Sequence, residues 1–186
     1  MRISNAIVCS GLLLVFATSN SLNAPANSHQ HVNESCLNFV QGFYDWYVPK
    51  TLKGNGGPAW DHALKEKPSA FESQLFQQLK EDSSAQAKAQ SEIVGLDFDP
   101  FLNSQDPGER YLVGKVARTG GTYWVDVYEI SSGKKSEKPI VVPEVALKGG
   151  RCTFVNFHYG KGNRPQHENL LSILKSLRES RQGQPK

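Results

Sequence analysis

The sequence predicts an α+β domain: N-terminal helices packed on a curved four-stranded antiparallel sheet, with a C-terminal helix. Three observations carry this. Apolar residues recur at helical spacing up to about residue 81, at alternating spacing over 110–159, and at helical spacing again over 170–177. The glycine pairs at 120–121 and 149–150 join neighbouring alternating runs through connections so short that the strands must be antiparallel. Helices first, a strand meander next and a helix last place the helices over one sheet face.

Residues 1–26 read as a secretory leader. Arg2 is followed by an apolar run over 6–17, polarity returns at Thr18, and Ala24-Pro25-Ala26 has the small residues a signal peptidase requires. The run is shorter than the roughly 20 apolar residues that span a bilayer. A retained anchor is the competing reading. The expected layout is a signal peptide over 1–26, a flexible polar lead-in over 27–34, one domain over 35–180 and a polar tail over 181–186. The mature chain is then expected in the periplasm or outside the cell, without a membrane span.

Cleavage would remove Cys9 and leave Cys36 and Cys152. An even pair in an oxidising compartment reads as a disulfide tying the first helix to a late strand. On the chain-entropy model a loop of that length contributes about 4–5 kcal/mol at best. The other reading is two buried thiols packing as small apolar groups. Losing Arg2 leaves 20 basic residues against 18 acidic ones, a net charge of +2. That near balance argues against nucleic acid as a partner. The late basic residues Lys161, Arg164, Lys175, Arg178, Arg181 and Lys186 read as a solvated helix face and tail.

The first helix is expected over 34–48, stopped by Pro49, with Leu37, Val40, Tyr44, Tyr47 and Val48 in one stripe. Phe39, Phe43 and Trp46 widen that stripe beyond half the circumference, so the helix must be largely buried. KGNGGP at 53–58 is a loop by composition. Trp60, Ala63 and Leu64 suit a short helix before Pro68. Ser69 and Glu72 have capping-box spacing for a third helix running to about Glu81. The stretch 82–92 lacks an apolar face and is either an exposed helical extension or a loop. Residues 93–107 read as an ordered connection. Strands follow over 110–117, 122–130, 140–147 and 151–159, with a polar turn at 131–138. Pro143 places an edge or a bulge in the third. Leu170, Ile173, Leu174 and Leu177 make the last helix amphipathic.

Four segments together resemble a known family: FVQGFYDWYVP at 39–49, EIVGLDFDPFLNSQDP at 92–107, the strand run over 110–159, and NLLSILKSL at 169–177. They are similar to bacterial exported proteins classed as the domain of unknown function 3828 family, over most of the chain from about residue 35 to 177. The chain departs from that pattern where a Trp is expected to open the fourth strand and Arg151-Cys152-Thr153-Phe154 stands instead. The resemblance implies export and carries over no catalytic residue. The helix-then-sheet order it implies is similar to the cone-shaped nuclear transport factor 2-like superfamily. That superfamily holds enzymes and noncatalytic binding domains alike, so the fold does not choose between them.

Candidate chemistry is sparse. Asp97, Asp99 and Asp106 are the densest carboxylates, as a calcium loop would want, yet Pro100, Phe101 and Leu102 fill the middle where a tight turn is needed. The better reading is that these Asp side chains accept from nearby amides and set turns at Asp99-Pro100 and Asp106-Pro107. Leu96, Phe98, Phe101 and Leu102 would then pin the segment to the core. Trp124, Asp126 and Tyr128 share a strand face, as do Cys152, Phe154, Asn156 and His158 under strict alternation. If the two faces coincide, Asp126 and His158 form an acid–base pair in an aromatic-lined pocket; otherwise they are a solvated Asp and a satisfied His. Trp46, Tyr47, Asp97, Asp99, Trp124 and Tyr128 are the ligand-binding candidates, and no metal site or cofactor motif is present. The expectation is a noncatalytic exported domain binding an envelope protein or a small apolar ligand. A cone-fold enzyme using Asp126 and His158, and an immunity or inhibitor protein offering the loop at 131–138 or 161–167, are the alternatives.

Overall fold

The computed structural model describes residues 26–53, 58–89, 93–159 and 168–183; the expected leader up to residue 25 and the basic loop at 161–167 lie outside the described residues. Among the described residues there are four α-helices and five strands. α1 (Ala26–Thr51), α2 (Ala59–Glu66), a 3-10 turn (Pro68–Ala70) and α3 (Ser73–Lys88) come first. β1 (Arg110–Thr119), β2 (Thr122–Ser131), β3 (Lys134–Lys135), β4 (Val141–Lys148) and β5 (Arg151–Tyr159) follow, and α4 (Leu170–Gly183) comes last. The sheet is antiparallel in the order β1-β2-β4-β5, with two-residue β3 attached to β2. The predicted α+β architecture is the observed one, and the exposed polar turn adds the fifth, short strand.

α1 is longer than its apolar stripe. Its backbone is helical back to Ala26, where the composition suggests a polar lead-in, and it continues through Pro49 to Thr51. Pro49 deletes only the amide that would reach the Asp45 carbonyl; Asp45 is exposed, so water can take that place. Cys36, Val40, Phe43, Tyr44, Tyr47 and Val48 are all buried. They pack against Tyr111, Val125, Val127, Val141, Val145, Phe154 and Phe157 in one continuous core. Phe43 sits at its centre, 4.9 Å from the Phe154 ring, 5.3 Å from Tyr47 and 5.5 Å from Phe101. Ring contacts at such spacings add to the area they bury.

Both sheet edges are covered. Gln41 of α1 lays its amide along β1: Nε2 donates to the Tyr111 carbonyl at 3.1 Å and Oε1 accepts from Val113 N–H at 2.9 Å. The side chain thereby imitates a neighbouring strand. On β5, Glu72 N–H donates to the Phe154 carbonyl at 2.8 Å, and Tyr159 N–H reaches the Glu168 carbonyl at 3.4 Å.

Register shifts break strict alternation in two strand pairs. Between β1 and β2 the irregularity lies between Val113 and Val116. Between β4 and β5 the partners step from Glu144–Asn156 to Val145–Phe154, leaving Val155 as an extra residue. Pro143 lies beside this bulge in a strand with neighbours on both sides, so the bulge, not an edge, is how the sheet accommodates it.

The helix ends depart from the sequence expectation. α3 starts at Ser73 rather than Ser69, and Glu72 caps it by accepting from Ser73 N–H at 3.1 Å. α3 runs on to Lys88, and inside the stretch read as lacking an apolar face lies Asp82, which is completely buried. Its carboxylate meets Arg181 Nη1 at 2.6 Å and accepts from Leu96 N–H at 2.9 Å, while Arg181 also donates to the Val94 carbonyl. Arg181 therefore belongs to α4 and to the core wall, not to a solvated tail. The Cys36–Cys152 pair is a disulfide joining α1 to β5, with Cα atoms 5.7 Å apart and 116 residues between them in sequence. Among the described residues no helix is long and apolar enough to cross a membrane.

Candidate functional site

The segment between α3 and β1 builds the site. Leu96, Phe98, Phe101 and Leu102 are buried, as their pattern predicts, and they fix the backbone around Asp99. Asp99 Oδ1 accepts from the amides of Phe101 at 2.9 Å and Leu102 at 3.2 Å, which makes the expected Asp turn. The expected turn at Asp106 is made differently: Ser104 Oγ accepts from Asp106 N–H at 3.1 Å.

The second carboxylate oxygen of Asp99 accepts from the Tyr47 hydroxyl at 2.5 Å. Tyr47 itself is fully buried. Among the described residues three donors thus meet a carboxylate with about four lone-pair sites, leaving one uncommitted. Desolvation dominates its electrostatics and lifts the Asp99 pKa to about 6, against the opposing pull of the Tyr47, Phe101 and Leu102 hydrogen bonds. The same burial, with the nearby Asp99 charge, holds the Tyr47 hydroxyl well above its ordinary range, so Tyr47 is the donor in this pair.

Asp99 lines a cleft of about 410 Å³ together with Trp60, Leu96, Phe98, Asp97, Gln86 and Gln105. The walls are aromatic and aliphatic, the polar groups are carboxylate, amide and hydroxyl, and among the described residues no basic side chain lines it. Such a cleft suits an apolar body carrying a cationic or strongly donating head.

The sequence candidates are only partly gathered here. Asp97, Asp99 and, behind them, Tyr47 come together; Asp106 stands apart and exposed. Among the described residues no group of three His, Cys, Asp or Glu side chains is placed to hold a metal ion. Trp46 is on another part of α1, half-buried between the ammonium groups of Lys67 at 4.7 Å and Lys50 at 5.0 Å. Tyr128 lies over Gly114 in the β1 irregularity, with the Lys135 ammonium 3.8 Å from its ring.

The proposed meeting of Asp126 and His158 is corrected by the strand order. β4 stands between β2 and β5, so the backbones at Asp126 and His158 are two strand spacings apart, roughly 9–10 Å, and His158 meets Glu144 of β4 instead. The bulge at Val155 also splits the set read as one face: Phe154 points into the core, while His158 lies opposite Val142 on the other face. There His158 Nε2 is 2.9 Å from Glu144 Oε2, and its ring stacks on Trp124 at 3.9 Å. The Thr122 hydroxyl donates to Glu144 Oε1 at 2.8 Å and accepts from Trp124 Nε1 at 3.3 Å. Glu144 and Thr122 escaped the sequence reading because their approach to His158 depends on the bulge, for which Pro143 was the available signal. None of these four residues lines the cleft at Asp99. No family model, curated protein or solved structure matches the chain.

Proposed function

We propose that this chain is a noncatalytic binding domain of the cell envelope that holds a small ligand in the cleft at Asp99. The ligand has an apolar body and a cationic or strongly donating head. One observation carries the reading: a desolvated carboxylate, fixed by Tyr47 and two backbone amides, has a lone-pair site left over among the described residues, in a largely apolar cleft whose described lining holds no basic residue. Fixed acceptors of this kind select a donor while the apolar walls supply affinity. Export is supported by the leader-like N-terminus and by the Cys36–Cys152 disulfide, a bond that persists in oxidising compartments.

Benzylammonium and benzoate, matched in size and opposite in charge, test this by calorimetric titration. Benzylammonium is expected to bind and benzoate to be excluded from this cleft. Binding also needs ionised Asp99, so affinity at pH 5 should be about tenfold below that at pH 7. Asp99→Asn should remove both the binding and its pH dependence. Equal affinity for the two probes, or benzylammonium binding untouched by Asp99→Asn, overturns the reading.

The acid–base alternative has its own observation in the His158–Glu144 hydrogen bond backed by Trp124. It is the weaker reading, because this cluster lies on a sheet face away from the cleft.

A further inference from the structure

We propose a second ligand site of opposite sign, a cleft between α1, the 3-10 turn and the start of β5 that takes a small organic anion with an apolar body. It stands independently of the cleft at Asp99. Its volume is about 580 Å³. Phe39, Phe43 and Ala70 give it an apolar floor, Lys67 and Arg151 bring positive charge, and among the described residues no carboxylate lines it.

The charges argue for an anion. The neighbouring lysines are already neutralised: Lys50 pairs with Glu66, and Lys148, opposite Arg151 across the Gly149-Gly150 turn, pairs with Glu72. Among the ion pairs of the described residues neither Lys67 nor Arg151 has a carboxylate partner. Lys67 is instead held over the Trp46 ring at 4.7 Å, which positions its ammonium without cancelling its charge. A guanidinium facing an open cleft presents paired donors that match a carboxylate. The Ser35, Asn38 and Ser69 side chains add neutral hydrogen-bonding groups to the lining.

The shape argues for a ligand rather than a packing defect. Gly42 faces this cleft from α1, and a Cβ built on it meets nothing within 4 Å. A glycine inside a helix costs stability that alanine or leucine would recover. Its place here keeps open a space that almost any other residue would begin to close.

The probe is 2-naphthoate, followed by its own fluorescence and by calorimetry, with 2-naphthylmethylammonium as the charge-reversed control. One saturable site is expected for the carboxylate at the Lys67 cleft. Lys67→Met with Arg151→Met should weaken it about tenfold or more, the scale of losing charge-assisted hydrogen bonds. Gly42→Leu should abolish binding while the thermal midpoint holds or rises, which separates a filled cleft from a failed fold. Asp99→Asn should leave naphthoate binding unchanged, so failure here and failure of the Asp99 cleft are distinguishable. Naphthoate binding that survives both Gly42→Leu and the double substitution overturns the proposal. So does equal binding of the ammonium control, or absence of saturable binding in the wild-type chain.

Discussion

Asp99 has a consequence for stability as well as for binding. Its pKa of about 6 in the folded chain exceeds the ordinary carboxylate value, so between about pH 4 and 6 the folded chain holds more protons than the unfolded one. The stability it contributes is therefore present below about pH 4 and is lost as pH rises through 6. Urea unfolding at pH 5 and 7.5 should show this as a difference of about 1–3 kcal/mol between wild type and Asp99→Asn, with the variant's curve the flatter of the two. Asp82 is a carboxylate of another kind, completely buried and paired in place with Arg181 while accepting from the Leu96 amide. Arg181→Met strands that carboxylate and should cost about 3–5 kcal/mol, read from the denaturation midpoint. These two acids also mark what residue-level reading reaches. The Asp99 turn follows from local chemistry, two residues of backbone away. The Asp82–Arg181 pair spans 99 residues of sequence, and its surroundings in the chain look like any solvated helix.

At the level of elements, alternation located four strands to within a few residues, because one buried face imposes a period of two. It failed where the period breaks. The extra residue Val155 lets both Phe154 and Phe157 enter the core and carries His158 to the opposite face. Pro143 on the neighbouring strand signals an edge or a bulge but not its place on β5; that arises from the need to bury two large rings three positions apart. The β1 irregularity has a clearer signature in Gly114, over which the Tyr128 ring lies so closely that an added Cβ would stand 2.6 Å from Cε2. Gly114→Ala should displace that ring and destabilise the domain by about 1–3 kcal/mol, visible as a lower thermal midpoint. Helix limits were similarly readable from apolar spacing but not from caps. Ser69 had the right spacing for a capping box, yet the Phe71–Phe154 bridge commits the chain to an extended path there, and Glu72 becomes the cap.

For the whole molecule, the layering was legible because composition changes period only twice along the chain. Which residues meet across layers was not, since that depends on strand order, which a meander alone leaves open: here β3 is diverted to a short flap and β4 takes the place beside β2. The disulfide was legible as a pair but not as geometry. Cys36→Ser with Cys152→Ser should lower stability by about 2–5 kcal/mol while the far-ultraviolet spectrum of the folded form is retained. The bridge encloses 116 residues of separation, taking in α2, α3 and most of the sheet. Backbone integrity and molecular integrity are consequently different things for this protein. A tryptic nick at the exposed Lys134 or Lys135 would produce two polypeptides that migrate as a single species until a reducing agent is added. Damage inflicted between the two cysteines is thus held in place, and ambient thiol concentration sets whether the severed halves part.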